Sequence, residues 1–362
     1  MAVPQSPQKN EPAKDKEPVK LAEQQFKNIQ ALKGVPADQI IPAMQYFSAA
    51  LGVECDFCHV GRPGRVEAEK DDKKEKQTAR KMIAMTKAIN LANFEGKPEV
   101  GCTTCHNGHA HPVALPPLFD EHNPNARAEN RHDLPHLELP TLEQVTQAYE
   151  KAIGGKEAVQ KLATRIAKAT LVTVQGQKLQ IESWQKAPDM AATSIILPNG
   201  QTRLQVFDGQ NGWAKNGRGV NQVSGPELAG MRLQARFDRD LVPTADLSNA
   251  RVTNTETIDG HECYVVRGQH SDNRDFSEWL YFDKQTGLLL RRRSAQRTLF
   301  GPVADITDYS DYREVQGVKV AFTTKRTTTE TQFTRKLDSI EFNKAVDDSR
   351  FARPEPEAAA TK

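Results

Sequence analysis

Residues 53–61 read VECDFCHVG, and residues 101–108 read GCTTCHNG. Each stretch sets two cysteines three positions apart with a histidine directly behind the second, and together they use four of the five cysteines in the chain. Thiols at that spacing fall within one turn of backbone, and the adjoining imidazole reaches the same neighbourhood. Whatever the chain folds into must therefore present two such turns to something that takes sulfur and nitrogen together.

C-x-x-C-H is the pattern of covalent haem c attachment. The paired thiols add to the porphyrin vinyl groups as thioethers, and the histidine meets the iron from one side. The expectation is two haem c groups, attached through Cys55, Cys58 and His59 and through Cys102, Cys105 and His106. A four-thiolate zinc site would draw all four cysteines to one ion and leave both histidines idle. A thioredoxin-like pair needs one motif beside a β-α-β pattern, and two plain disulfides again leave the histidines unexplained. Cys263, in HECYVVRG, has no partner left and reads as a small buried apolar residue on a strand.

Thioether attachment takes place outside the cytoplasm, so the expected location is periplasmic or extracellular, with the signal peptide already removed. The start, MAVPQSPQKNEPAKDKEPVK, has no apolar segment to serve as a signal. It reads as a disordered leader over residues 1–24.

Helical periodicity surrounds both motifs. In VPADQIIPAMQYFSAALG the apolar positions Ile40, Ile41, Met44, Phe47 and Leu51 recur at three- and four-residue steps, and Gly52 closes the run. A charged loop is expected at residues 62–77. A second helix then runs through TARKMIAMTKAINLANF, with Met82, Met85, Ile89 and Phe94 along or near one face, and ends at Gly96 and Pro98.

The sixth iron ligand decides between electron transfer and small-molecule chemistry. Met44 and Met82 each lie on the helix leading into a motif, and a thioether is a soft ligand that raises the potential. Six methionines exist, three of them on these two helices. The plainer reading makes them core filler. Met85 competes with Met82, and His109, His111, His122, His132 and His136 are further candidates.

Three stretches, MQYFSAALGVECDFCH, ARKMIAMTKAIN and VGCTTCHNG, resemble the cytochrome c subunit of purple-bacterial photosynthetic reaction centres. The resemblance covers about residues 26–115. It implies Met44 with His59 on the first iron and Met82, the first methionine of M-x-x-M, with His106 on the second. The chain departs from that family in carrying two motifs where the family has four haems. The loop LANFEGKPEV also lacks the distal histidine that serves one of them, and a lipid-bearing N-terminal cysteine is absent.

Residues 112–140 hold six prolines and almost no periodicity, which marks a linker at 116–140. Beyond it, TLEQVTQAYEKAIGGKEAVQKLAT reads as two short helices hinged at Gly154 and Gly155. Alternating runs follow: ATLVTV, KLQIESW, ATSIIL, ECYVVRG, SEWLYF, GLLLRR, VKVAFTT and KLDSIEF, with glycine turns between many of them. One more helix, GPELAGMRLQARFDRDL, interrupts them. YFDKQTGLLLR and DYREVQGVKV are loosely similar to periplasmic lipoprotein-carrier half-barrels, which implies a curved sheet wrapped round helices. Arg291, Arg292 and Arg293 read as a solvated strand end.

The expected fold is multidomain. A small mainly-α dihaem cytochrome c domain spans 25–115, an α+β domain with a curved antiparallel sheet spans 141–353, and residues 354–362 form a tail. With 49 basic and 47 acidic residues no global field draws the chain to nucleic acid. No apolar run approaches the roughly 20 residues of a membrane span, and no hydrolase, metalloprotease or phosphate-loop motif is present.

The function expected is single-electron transfer between a redox-protein donor and acceptor, without catalysis. The sheet domain would dock a partner, hold an apolar ligand or the cell envelope, or mediate self-assembly. The rival readings are a haem peroxidase with one open iron, a lipid or lipoprotein binder with redox accessories, and a cytochrome filament.

Overall fold

The computed structural model describes residues 20–62, 65–112, 138–217, 219–271, 276–329 and 331–355 of the 362-residue chain. Most of the linker and tail expectations, and the leader up to residue 19, lie outside them. His122, His132 and His136 do as well.

The chain enters through α1 (Ala22–Gln25), whose first residue is fully buried. Leu21 bridges Pro36, and the Ala22 N–H donates to the Val35 carbonyl at 2.7 Å, so the end of the expected leader is folded against the loop that follows. A one-turn 3-10 helix (Ala37–Gln39) opens α2 (Ile40–Leu51). Gly52 ends α2 in the left-handed conformation at φ 66°, a cap that glycine adopts without steric cost.

Then come α3 (Cys55–Cys58), the hairpin β1 (Val60–Arg62) and β2 (Arg65–Glu67), α4 (Lys74–Asn93) and α5 (Cys102–His106). The charged loop expected at residues 62–77 thus holds a strand, a turn and the start of a helix. This region is partly helical, and its core gathers Leu32, Val35, Ile40, Ala43, Tyr46, Ala50 and Ile83.

α4 turns its face differently from the periodicity. Lys76, Ile83 and Asn90 are buried, seven residues apart, while Met82 and Met85 stay 36% and 46% exposed. The reason is polar: the buried side chains of Lys76 and Asn90 each donate to backbone carbonyls of the neighbouring loops, and those bonds favour this rotation of the helix.

After α6 (Leu142–Ala152) and α7 (Lys156–Gln160), hinged where Gly154 and Gly155 take φ of 118° and 92°, the chain becomes one sheet. Its strands are β3 (Thr164–Thr173), β4 (Lys178–Lys186), β5 (Met190–Ile196), β6 (Thr202–Phe207), β7 (Gly212–Asn216) and β8 (Gly219–Val223). After α8 (Gly225–Ala235) follow β9 (Leu247–Ile258), β10 (His261–His270), β11 (Phe276–Asp283), β12 (Leu289–Arg297), β13 (Pro302–Val315), β14 (Val318–Thr328) and β15 (Gln332–Phe342).

The order β8-β7-β6-β5-β4-β3-β15-β14-β13-β12-β11-β10-β9 makes two antiparallel meanders joined where β3 pairs β15, in a large curved sheet. Val145 and Tyr149 of α6 and Ile153 just after it pack into the sheet's main core with Phe282, Leu289 and Val318. Among the described residues no helix is long and apolar enough to cross a membrane.

The arginine triplet on β12 is not a solvated strand end. Arg292 is buried and pairs with Glu278, which Arg239 also grips at 2.8 Å. Burial pushes the Glu278 carboxyl up, but the two guanidiniums outweigh it and hold it well below the usual range. Arg293 lies over the Trp279 ring and Arg291 pairs with Asp308. Cys263 is fully buried, as expected of it, and burial pushes its thiol up to about 11.

Candidate functional site

Both C-x-x-C-H stretches form a single helical turn. In α3 the His59 N–H donates to the Cys55 carbonyl at 3.0 Å, closing the turn that sets both thiols beside the imidazole. Cys55 is exposed and Cys58 half-buried, and burial pushes the Cys58 thiol up. In α5 the Thr104 hydroxyl accepts from the Gly101 N–H at 3.1 Å and the Thr104 N–H donates to the Gly101 carbonyl, which starts the helix at the motif itself. Asn107 and Gly108 leave it in left-handed conformations, φ 45° and 83°. Cys105 is exposed, and burial pushes the half-buried Cys102 thiol up.

The histidines differ in their supports. His106 Nδ1 lies 3.0 Å from the His109 carbonyl oxygen, which accepts its proton and leaves Nε2 for a ligand. His59 is half-buried with an Nδ1 that has no hydrogen-bond partner. Its pKa is lowered first by burial and then by the Lys76 ammonium, against the pull of the Ala68 carbonyl.

Each motif packs on the helix that belongs to the other. α3 follows α2 in sequence but lies against the start of α4, where Lys73 Nζ donates to the Asp56 carbonyl. Lys76 Nζ donates to the carbonyls of Ala68 at 2.8 Å and Lys70 at 2.6 Å, and pairs with Asp71 at 2.8 Å. Arg80 clamps Asp71 with two hydrogen bonds. The Arg80 guanidinium and then the Lys76 ammonium hold that carboxyl far below its ordinary value.

α5 follows α4 but lies against α2. The Gly108 N–H donates to the Ala50 carbonyl at 2.9 Å, and Tyr46 Oη accepts from Thr103. A Cβ on Gly52 would stand 2.1 Å from the Gly108 oxygen. Buried Asn90 of α4 accepts from the Val100 N–H at 2.9 Å and donates to its carbonyl at 2.8 Å, delivering the chain into the motif. Met44 is half-buried against the helical core, and Met82 and Met85 lie at the surface of α4.

Lys76, Asn90, Tyr46 and Gly52 thus complete the site. The sequence reading uses Gly52 only as a helix stop. Lys76 and Asn90, each seven residues from Ile83 on the same helical stripe, are the signal that could have been read.

The residues suit haem c by their own chemistry. Each site has two uncombined thiols one turn apart and an imidazole beside them, one with its Nδ1 anchored and one with a buried Nδ1 unclaimed. Apolar surface is at hand: seven of the ten large exposed apolar side chains among the described residues, Phe57, Met82, Met85 and Phe94 included, lie between Leu21 and Phe94. Among the described residues no three His, Cys, Asp or Glu side chains gather into a metal-ion site.

The N-terminal part of the molecule is similar in sequence to c-type cytochromes. Residues 1–136 match the family described as Photosynthetic reaction centre cytochrome C subunit, the family that the three motif stretches resemble. Cytochrome c-554 of Chloroflexus aurantiacus is 37% identical over 87 residues, 22% of this chain and 20% of that protein. The chain thus spans about a fifth of the length of this curated relative.

The larger part of the chain is similar to solved structures of other proteins. A DUF1329 family protein from Desulfovibrio piger matches at TM-score 0.42 and 13% identity, over 58% of this chain and 97% of that one. A LolA superfamily protein from Nitrosomonas europaea matches at TM-score 0.42 and 12% identity, over 59% and 98%. A putative outer membrane lipoprotein-sorting protein domain from Vibrio parahaemolyticus matches at TM-score 0.38 and 13% identity, over 57% and 94%.

Proposed function

We propose that this chain is an exported dihaem c-type cytochrome that passes single electrons between redox-protein partners, in the periplasm or outside the cell. One observation carries the reading: two separate one-turn helices each present two free thiols with an imidazole directly behind them. Bound haem would supply an iron that alternates between ferric and ferrous states without a bond being made to a substrate.

The protein's own residues do the rest. Cys55 and Cys58, and Cys102 and Cys105, would hold the porphyrins as thioethers. His59 and His106 would bind the irons through Nε2. The His106 Nδ1 proton, held on the His109 carbonyl, keeps that ring in one tautomer and one orientation. Met44 is the proposed second ligand to the first iron and Met82 to the second. The cross-packing of α3 on α4 and α5 on α2 ties both sites into one small body, which favours a short path between them.

The test is a haem stain and a reduced-minus-oxidised spectrum of the mature protein, with mass spectrometry. The expected result is two haems per chain that survive denaturation, and low-spin spectra. Met82→Ala converts one haem to high spin or to a new ligand, while Met85→Ala leaves the spectrum low-spin. A colourless protein whose four paired cysteines share one metal ion or form disulfides would overturn the proposal.

A further inference from the structure

The turn between β12 and β13, residues 298–301, does not end in solvent. Thr298 is buried and fastens the turn: its Oγ1 donates to the Gly301 carbonyl at 2.6 Å and accepts from the Gly301 and Phe300 N–H groups. Phe300, also buried, is carried into the core of the helical region, with its ring 4.9 Å from that of Phe47 and edge-on to it. Lys87 of α4 stands over the ring at 5.8 Å.

The second attachment motif is on the other side of this turn. A Cβ on Gly101 would meet the Phe300 carbonyl oxygen at 2.9 Å and Tyr46 Oη at 2.4 Å. A Cβ on Gly301, at φ +154°, would strike the Tyr46 ring at 2.4 Å. Cys102 packs against the same cluster as Phe300. The first motif has a cover of a different origin, since residues 67–72 of its own region lie over it.

A contact needed only to join two domains could fall anywhere on the helical surface. This one meets the residue before Cys102 and the tyrosine that holds Thr103 between the two cysteines, in the cluster against which Cys102 packs.

We propose that the β12–β13 turn is a positioning element of the second haem site, through which the sheet domain excludes water from that haem and raises its reduction potential. The inference rests on the dihaem reading above. Its physical basis is that ferric haem carries one more positive charge than ferrous haem, and a drier site disfavours the more charged form. Phe300 and its carbonyl supply the dry wall beside Cys102, and Tyr46 and Gly301 hold that wall in register. The sheet domain is then part of the redox centre, and displacement of its turn would alter one haem alone.

The experiment is a spectroelectrochemical titration of the full-length holoprotein, with the two potentials assigned from variants that keep only one attachment motif. Phe300→Ala is expected to lower the potential of the second haem and leave the first unchanged, with two haems still attached. Phe300→Leu, which keeps the apolar bulk, restores most of the shift. Thr298→Val loosens the turn without removing the ring, gives a smaller shift of the same sign, and serves if Phe300→Ala does not accumulate. Potentials that stay fixed in these variants, or that move together, overturn the inference. Failure of the dihaem reading shows separately, as a wild-type protein without haem on Cys102 and Cys105.

Discussion

The two C-x-x-C-H regions share that pattern and almost nothing else. Around α3 the cover is ionic: Lys76, Arg80 and Asp71 stitch residues 67–72 down over His59, and Lys73 reaches the Asp56 carbonyl. Around α5 the cover is aromatic and close-packed, made of Tyr46, Phe300 and the approach of Gly52, Gly101 and Gly301 to their neighbours. The contrast teaches that the C-x-x-C-H pattern fixes the local turn and leaves its surroundings to remote segments. On the dihaem reading proposed above, two like sites would sit in separate electrical environments within one small body.

The contrast can be broken most forcefully at Gly52. Gly52→Ala places a Cβ against the Gly108 carbonyl and strains a left-handed backbone, at a cost on the order of 3 kcal/mol. The expected outcome is a lower melting temperature with loss of haem from the second motif before the first, read by peptide mass spectrometry. Equal loss from both motifs would show that α5 does not depend on this approach.

A smaller effect should strike the other region. Lys76→Met removes the buried ammonium that donates to Ala68 and Lys70 and pairs with Asp71, which should cost about 2 kcal/mol. Hydrogen exchange should rise over residues 67–72 while residues 98–108 keep their protection. Unchanged protection in the loop would mean that Arg80 alone secures it.

The smallest effect is one of acidity. Asp71 has a folded pKa held below its unfolded value by Arg80 and Lys76. Its contribution is therefore complete above the ordinary carboxylate range, near pH 4, and fades as pH falls through the lowered folded value. Exchange over residues 67–72 is expected to quicken between about pH 4 and pH 2, ahead of residues 98–108, where Tyr46, Phe300 and Gly101 make a contact without a carboxylate. Simultaneous loosening of both segments would remove the distinction.

Much of this was legible beforehand, and what was not has a common cause. The one-turn C-x-x-C-H stretches, the helix stop at Gly52, the hinge at Gly154 and Gly155 and eight strands are local patterns, readable from spacing and turn residues. β9 and β13 are long strands that escape such reading, because LSNARVTNTETI and PVADITDYSDYREV are too polar to stand out. Lys76 sits in a run of charges that resembles a solvated surface, and Arg292 in a triplet that does the same. Each is buried because a distant segment brings carbonyls or a carboxylate to it. Periodicity reports which residues share a face, but not which remote part of the chain will cover it. Phe300, far from Cys102 in sequence, is the clearest case.

The seam between β3 and β15 settles a question of timing. The first strand of the sheet pairs β4 on one side but has its second partner only when the last strand has been made, with residues Phe333 to Phe342 aligned on Thr173 to Arg165. A chain still being synthesised would hold two half-sheets with bare margins, open to pairing with other molecules. The helical region is encoded ahead of both, and the seam between them waits for the last strand of the sheet.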